Sequence, residues 1–383
     1  MQEQPQGAPG GIRRNSITKV ALGSFVGTSI EWYDFFLYGT AAALVFGQLF
    51  FPDEDPAIGL LAAFGTYAVG FLARPLGGIV GGHIGDRIGR KSMLVASLVI
   101  MGAATSAIGL LPTYEQIGIL SPILLLVLRL IQGFGVGGEW GGAALMSVEH
   151  APAGRRGFYG SFTQMGVSAG MLLAVGAFAL PRGLMDSQAF LSWGWRLPFL
   201  ASSVLVVVGL VIRLKLVEPP AFEKARERND LAQRPVVEVM RSERRAVWLT
   251  SGMRISQNAV YYLYTVFGLT YVAKSVGKDS NLGLTAVLIA SALGFISVPA
   301  WAALSDRMGR RPVYLFGAIT SAVFVIPFFL MADTGSPILI VLAIVLGLNL
   351  FHDAMYGPQA AFFSEMFTTG VRYSGASLGY QIG

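Results

Sequence analysis

The feature that most narrows the fold is a recurrence: apolar runs of about twenty residues follow one another along nearly the whole chain. A helix rises about 1.5 Å per residue, so about 20 apolar residues cross a ~30 Å hydrocarbon core. Runs of this kind fall near 20–48, 58–82, 92–112, 121–148, 158–180 and 195–216. After a charged stretch they resume near 246–272, 283–304, 312–332 and 337–363, and an eleventh opens near Ser374. Only 13% of the residues are charged, about half the share usual in a soluble domain. The expectation is an all-α polytopic membrane protein.

The 28 lysines and arginines divide unevenly between the two sides of such a membrane map. With the N-terminus inside, 21 fall on the inner side, among them Arg13, Arg14, Lys19, Arg87, Arg90, Lys91, Arg155, Arg156 and Arg372. Nine of these, from Arg213 to Arg245, are assigned to the central connection. Four lie outside (Arg182, Arg196, Lys274, Lys278) and three within spans (Arg74, Arg129, Arg254). Excess Lys and Arg on cytoplasmic loops sets topology, so the basic charge reads as orientation and argues against a nucleic-acid partner. Two arginines before a long apolar run also suggest a secretory signal. The run is too long for that and lacks an A-x-A cleavage site, so the first span is expected to be uncleaved.

Internal repetition fixes the organisation. Gly82-His-Ile-Gly-Asp86-Arg87-Ile-Gly89-Arg90-Lys91 returns 220 positions later as Ala302-Ala-Leu-Ser-Asp306-Arg307-Met-Gly309-Arg310-Arg311. Glu149…Gly154-Arg-Arg156, leading to Gln164-Met-Gly166, returns as Glu365…Gly370-Val-Arg372, leading to Gln381-Ile-Gly383. Two parallel six-span halves are the architecture this repeat predicts. The divisions are a tail (1–19), an N-terminal bundle (20–216), a central cytoplasmic loop (217–245) and a C-terminal bundle (246–383). The second half holds about four and a half spans by this count, so the chain is expected to be a piece of a twelve-span protein.

The repeated D-R-x-G-R-[KR] loop resembles the signature of the major facilitator superfamily. Four longer stretches are similar to its metabolite:proton symporter branch: "GTSIEWYDFFLYG", "FLARPLGGIVGGHIGDRIGRK", "RLIQGFGVGGEWGGAALMSVEHAP" and "SWGWRLPF". That branch includes permeases for alpha-ketoglutarate, shikimate and proline/betaine. The resemblance implies a monomeric, multi-pass importer of the bacterial inner membrane with its N-terminus in the cytoplasm, working by alternating access. Its partners would be a small organic acid or zwitterion, protons and the lipid bilayer. It implies no cofactor beyond the proton as coupling ion, and no enzymatic activity. Uncoupled facilitation, drug export, and a non-transporting fragment or sensor are the alternatives.

Carboxylates at membrane depth cost about 2.5–3.5 kcal/mol each on insertion scales and face a bundle interior or a wet cavity. Glu31, Asp34 and Tyr38 share one helix face by their spacing and are candidates for proton coupling. Arg129, Gln132 and Glu139 share a face of the fourth span. There Arg129 either grips a substrate carboxylate with its planar fork or balances one of the acids, and Arg74 divides between the same roles. Arg254, Asn258, Tyr261 and Tyr262 advance along the seventh span. His352, Asp353, Tyr356 and Gln359 do so along the tenth, where the ~100° between neighbours on a helix sets His352 and Asp353 apart. Gly133, Gly137 and Gly141 form a small-residue stripe for close helix approach.

The gating set is Gly82, Asp86, Arg87, Gly89, Arg90, Glu149 and Arg156 with Asp306, Arg307, Gly309, Arg310, Glu365 and Arg372. In the resembling family the loop acid latches the opposite half and favours the outward-open state. The target of Asp86 is the helix opening near Ser374, so this latch is expected to be weak or missing. No nucleophile–base pair, phosphate loop or metal spacing is present.

Overall fold

In the computed structural model the described residues are 16–52, 55–218, 220–227 and 234–383. Arg13, Arg14 and Arg228, used above for orientation, lie outside them. Among the described residues eleven long helices form. We label them α1 (Ile17–Ala41, continued to Phe50), α2 (Pro56–Arg87), α3 (Arg90–Leu110), α4 (Leu120–His150) and α5 (Arg156–Leu184). The series goes on with α6 (Arg196–Leu214), α7 (Arg244–Tyr262, continued to Lys274), α8 (Ser280–Met308), α9 (Arg310–Asp333), α10 (Pro337–Glu365) and α11 (Arg372–Ile382). Among the described residues, eight are long and apolar enough to cross a membrane. The chain is a multi-pass membrane protein.

The helix ends follow local chemistry. Asp55 caps α2 by accepting from the Ala57 N–H at 2.9 Å, and Asp279 caps α8 by accepting from Asn281 N–H at 3.0 Å. Between α2 and α3, and again between α8 and α9, the chain reverses at Gly89 (φ +134°) and Gly309 (φ +95°). A side chain is strained in that region, so the loop motif needs glycine there. These two turns mark one end of the molecule, here termed the basic face.

α1–α6 and α7–α11 make two bundles that meet along α5 with α8 and α2 with α11. Within the first bundle α1 lies so close to α5 that a Cβ at Gly170 would stand 2.5 Å from Trp32 Cβ. α2 and α4 approach through Gly77, Gly133 and Gly137, as the glycine stripe predicts.

The central connection is more ordered than a loop. It contains the short helices Pro220–Glu227 and Pro235–Ser242. Ahead of them, Glu218 accepts from the Arg90 and Lys91 N–H groups at 2.9 and 3.0 Å, capping α3. Burial pushes the Glu218 carboxyl up from its ordinary value, and those two N–H bonds hold it back. Arg213, assigned above to this connection, is instead in α6. It is 2% exposed and forms an ion pair with Glu139. The apolar stem of an arginine near a helix end packs into the bundle when an acid waits there.

Candidate functional site

In the first bundle, α1 presents two acids to α2, α3 and α4. Glu31 Oε1 lies 3.7 Å from Arg74 Nη2, a loose ion pair, and Glu31 Oε2 has no hydrogen-bond partner in the protein. Asp34 Oδ2 accepts from the Thr105 hydroxyl at 2.9 Å. Gln132 Nε2 donates to that same hydroxyl oxygen at 2.6 Å, and Arg129 Nη1 donates to Gln132 Oε1 at 2.6 Å. Arg129 therefore reaches Asp34 through two intermediaries. Its guanidinium stands over Tyr38 (4.3 Å), Tyr67 (4.8 Å) and Phe35 (5.3 Å), while Tyr38 Oη pairs with Thr66 at 2.7 Å. Glu31, Asp34, Arg74, Arg129 and Gln132 line one cavity of about 10 Å³, space for a single water. The structure thus brings together five of the residues singled out in this half.

Glu139 stands apart from them. It pairs with Arg213 and lies 3.4 Å from the Ser97 hydroxyl, inside the first bundle.

In the second bundle a chain of polar contacts crosses from α7 to α10 and α8. Arg254 donates to Gln257, Gln257 Nε2 meets His352 Nε2, and His352 Nδ1 lies 3.0 Å from Asp353 Oδ1. Asp353 Oδ2 accepts from Ser297 and, at 3.2 Å, from Asn349 Nδ2. The expectation that His352 and Asp353 diverge is wrong. Both residues keep ordinary helical dihedrals at the end of the π-helical turn Leu346–His352, and it is the reach of the two side chains that brings them into contact. Tyr261 and Tyr356 flank the imidazole at 5.3 and 5.4 Å. Tyr261, Asn349, His352, Asp353 and Tyr356 share a second cavity of about 40 Å³ with Ser168 and Met171 of α5.

Between the bundles lies a third, larger cavity of about 330 Å³. Arg74 faces it from the first half and Arg254 from the second, with Trp32, Phe71, Asn258, Tyr262 and Tyr380 as walls. Asn258 Nδ2 donates to the Gly383 carbonyl at 3.1 Å. Arg254 stands 3.9 Å above the Tyr380 ring, and Tyr380 stacks at 3.7 Å on Trp140.

Trp140 Nε1 donates to Gln164 Oε1 at 2.8 Å, and Gln164 Nε2 donates across the junction to the Tyr356 carbonyl at 3.1 Å. Its repeat counterpart Gln381 makes the reciprocal bond to the Gly137 carbonyl at 3.0 Å. Gln164, Gln381, Trp140, Thr105, Gln257 and Tyr380 were not selected from the sequence. Only Gln164 and Gln381 carried a signal, their place in the repeat.

At the basic face both loop acids hold the N-terminus of a helix in the opposite bundle. Asp86 accepts from Tyr373 and Ser374 N–H at 3.2 and 2.9 Å, and Asp306 from Gly157 and Phe158 N–H at 2.8 and 2.9 Å. Two aligned N–H groups at a helix start favour an anion there. The latch expected to be weak or missing is therefore formed, because the first turn of α11 alone supplies both donors. Gly82 permits the approach, since a Cβ there would lie 2.8 Å from Ser374 Cα. Glu149 binds Arg90 (3.2 Å) and, across the junction, Arg372 (3.1 Å), while Arg310 binds Asp306 (2.7 Å) and Glu365 (3.2 Å). Arg87, Arg156 and Arg307 are exposed.

Comparison with known proteins agrees with this architecture. The sequence profile of the Major Facilitator Superfamily matches residues 24–383. A shikimate transporter of Escherichia coli (strain K12) is 44% identical over 366 residues, covering 95% of this chain and 84% of that protein. The inner membrane metabolite transport protein YhjE of the same organism is 41% identical, covering 96% and 84%. Its proline/betaine transporter is 36% identical, covering 97% and 75%. Among solved structures, the proton:xylose symporter XylE superposes with a TM-score of 0.74 over 96% of this chain and 85% of that one, at 16% identity. That likeness is one of fold.

Proposed function

We proceed from the premise that this chain belongs to the Major Facilitator Superfamily, whose relatives here are transporters and not enzymes, and we propose that it couples proton entry to import of a small carboxylate or zwitterionic metabolite. The observation that carries this reading is the pair of buried acids on α1, each with one oxygen lacking a partner, in a cavity lined by two arginines. Buried acids in a membrane-spanning bundle mark substrate and proton pathways.

The Asp34 network suits either protonation state. Ionised, Asp34 accepts the Thr105 proton. Protonated, it donates to Thr105 Oγ1, whose own proton turns to the Met101 carbonyl 3.0 Å away. Glu31 gains a proton by releasing Arg74, and Arg74 is then free for a ligand in the cavity between the bundles. The basic face is assigned to the cytoplasm and carries both latches closed, so this conformation is the outward-facing half of an alternating-access cycle. The one-sided excess of Lys and Arg supports a cytoplasmic N-terminus, and the likeness to inner-membrane transporters supports the bacterial inner membrane.

The test is tracer uptake into proteoliposomes with an imposed pH gradient, using shikimate, glycine betaine and L-proline in turn. Acidifying the entry side should accelerate uptake of at least one of them severalfold. Glu31→Gln should keep exchange of that tracer while abolishing its accumulation against a gradient. Accumulation by Glu31→Gln equal to wild type removes Glu31 from the coupling step.

A further inference from the structure

We propose that the second bundle holds a proton-binding site of its own, Asp353, built on the same hydroxyl switch as Asp34 in the first. As a site that takes up a proton it stands by itself; as a step in coupling it rests on the transport reading above.

The two acids are held alike. Asp34 Oδ2 meets the Thr105 hydroxyl, whose oxygen accepts from the Gln132 amide and whose proton has a second acceptor, the Met101 carbonyl four residues back on α3. Asp353 Oδ2 meets the Ser297 hydroxyl. Its oxygen accepts from the Asn349 amide at 3.0 Å, and its proton has the Leu293 carbonyl, four residues back on α8, at 3.2 Å. A hydroxyl offers one donor and two acceptor sites. It therefore donates to an ionised carboxylate, or turns to its own helix and accepts from a protonated one. Asp34 and Asp353 do not correspond across the repeat, so the likeness is one of chemistry.

The neighbouring groups direct a proton to one oxygen. Arginine only donates hydrogen bonds, so the Gln257 atom facing Arg254 is its oxygen and the atom facing His352 Nε2 is its nitrogen. That makes Nε2 an acceptor and leaves the ring hydrogen on Nδ1, which donates to Asp353 Oδ1 at 3.0 Å. A proton added at Nε2 would confront the Gln257 amide hydrogens, which stay in place while Arg254 holds the amide oxygen. In the same way the Ala290 carbonyl, at 2.9 Å, fixes the Asn349 nitrogen toward Asp353. Oδ2 takes a proton with every partner still satisfied. Ser297 turns to Leu293, Asn349 keeps its bond to Ser297, and His352 keeps its bond to Oδ1.

Glu31 and Glu139 each face an arginine, whereas the ion-pair partner of Asp353 among the described residues is His352. Tyr261 and Tyr356 share its cavity, Arg254 stands beyond Gln257, and α5, α8 and α9 carry their charged residues near their ends. No arginine or lysine stands beside Asp353 in place of a proton. The cavity of about 40 Å³ has space for a few waters, and a hydronium there gives its proton to Oδ2 and leaves as water. Its walls are α5 of the first bundle and α7, α8 and α10 of the second. Ser168 of α5 packs so closely on α8 that a Cβ at Gly294 would stand 2.6 Å from its Oγ. Movement of one bundle against the other therefore opens or closes the water route to Asp353.

The test is infrared titration of the carboxylic-acid C=O bands of the purified protein in lipid nanodiscs, for wild type, Asp34→Asn and Asp353→Asn. Expected is a titrating band that wild type and Asp34→Asn share and Asp353→Asn lacks. An Asp353→Asn titration that superposes on wild type overturns the inference. If that variant does not fold, Asn349→Leu takes its place. It removes a donor to the ionised carboxylate, and should tighten proton binding about tenfold and raise the midpoint of one band by about one pH unit. Midpoints all equal to wild type overturn the inference in that case.

A second arm reads coupling. In proteoliposomes the reversal potential of the tracer that wild type takes up, among shikimate, glycine betaine and L-proline, gives the protons moved per molecule. Asp353→Asn should move one fewer. An unchanged ratio overturns the role of Asp353 in coupling, while the infrared band decides its role as a proton site. No uptake of any tracer by wild type counts against the transport reading and leaves the infrared result standing.

Discussion

The two copies of the D-R-x-G-R loop perform one task in two environments. Each uses its Asp to hold two N–H groups at the start of a helix in the opposite bundle, and the four donors correspond across the repeat: Gly157 and Phe158 in one half, Tyr373 and Ser374 in the other. Burial separates the copies. Arg90 is fully enclosed, while the Arg310 side chain is 14% exposed and its partner Glu365 is 31% exposed. Glu149 links Arg90 to Arg372 of the second bundle. By contrast Arg156, the counterpart of Arg372, is exposed and forms no ion pair among the described residues.

The central connection explains part of this difference. Glu218 and Phe222 cover the first copy, with the Phe222 ring 4.8 Å from the Arg90 guanidinium, and the second copy has no such cover among the described residues. The same six-residue pattern is therefore a fully buried clasp in one half and a partly exposed one in the other. A buried donor left without an acceptor costs about 1–3 kcal/mol, whereas an exposed ion pair contributes about 0–1 kcal/mol.

The largest test of this contrast compares Asp86→Ala with Asp306→Ala. The chain contains no cysteine, so a near-isosteric Ser377→Cys, on the buried face of α11 against Gly141, reports opening of the basic face without background. Asp86→Ala should raise maleimide labelling of that cysteine about tenfold, corresponding to roughly 1.4 kcal/mol, and Asp306→Ala by a smaller factor. Equal effects would show that burial does not grade the two latches.

An intermediate effect is expected for Arg372→Gln against Arg156→Gln. The first breaks a cross-bundle pair on a buried acid and should raise labelling about threefold. The second should leave it within error. Smallest is Glu365→Gln, a solvated ion pair, which should shift the thermal midpoint by no more than about 1 °C given a contribution under about 1 kcal/mol. A shift as large as that of Glu149→Gln in the same assay would erase the distinction between the copies.

The polar interiors of the two bundles show the same division between what repeats and what differs. The first bundle brings two acids and two arginines into a space for one water, and the second answers with a Gln–His–Asp chain beside a roomier pocket.

Much of this was legible in order. Span length, the sidedness of Lys and Arg, the 220-residue repeat and the glycine turns follow from periodicity and from the chemistry of a hydrocarbon solvent, which acts on each segment by itself. The same reasoning found Glu31, Asp34, Arg129 and Asp353, because a charge at membrane depth is costly wherever it points. What only the tertiary structure decided is which group answers each charge: Arg213 for Glu139, Thr105 for Asp34, and α11's first turn for Asp86. Those pairings join helices far apart in the chain, and His352 meets Asp353 through the conformations of their side chains. Partners of that kind depend on distance in space, which spacing along one helix does not encode.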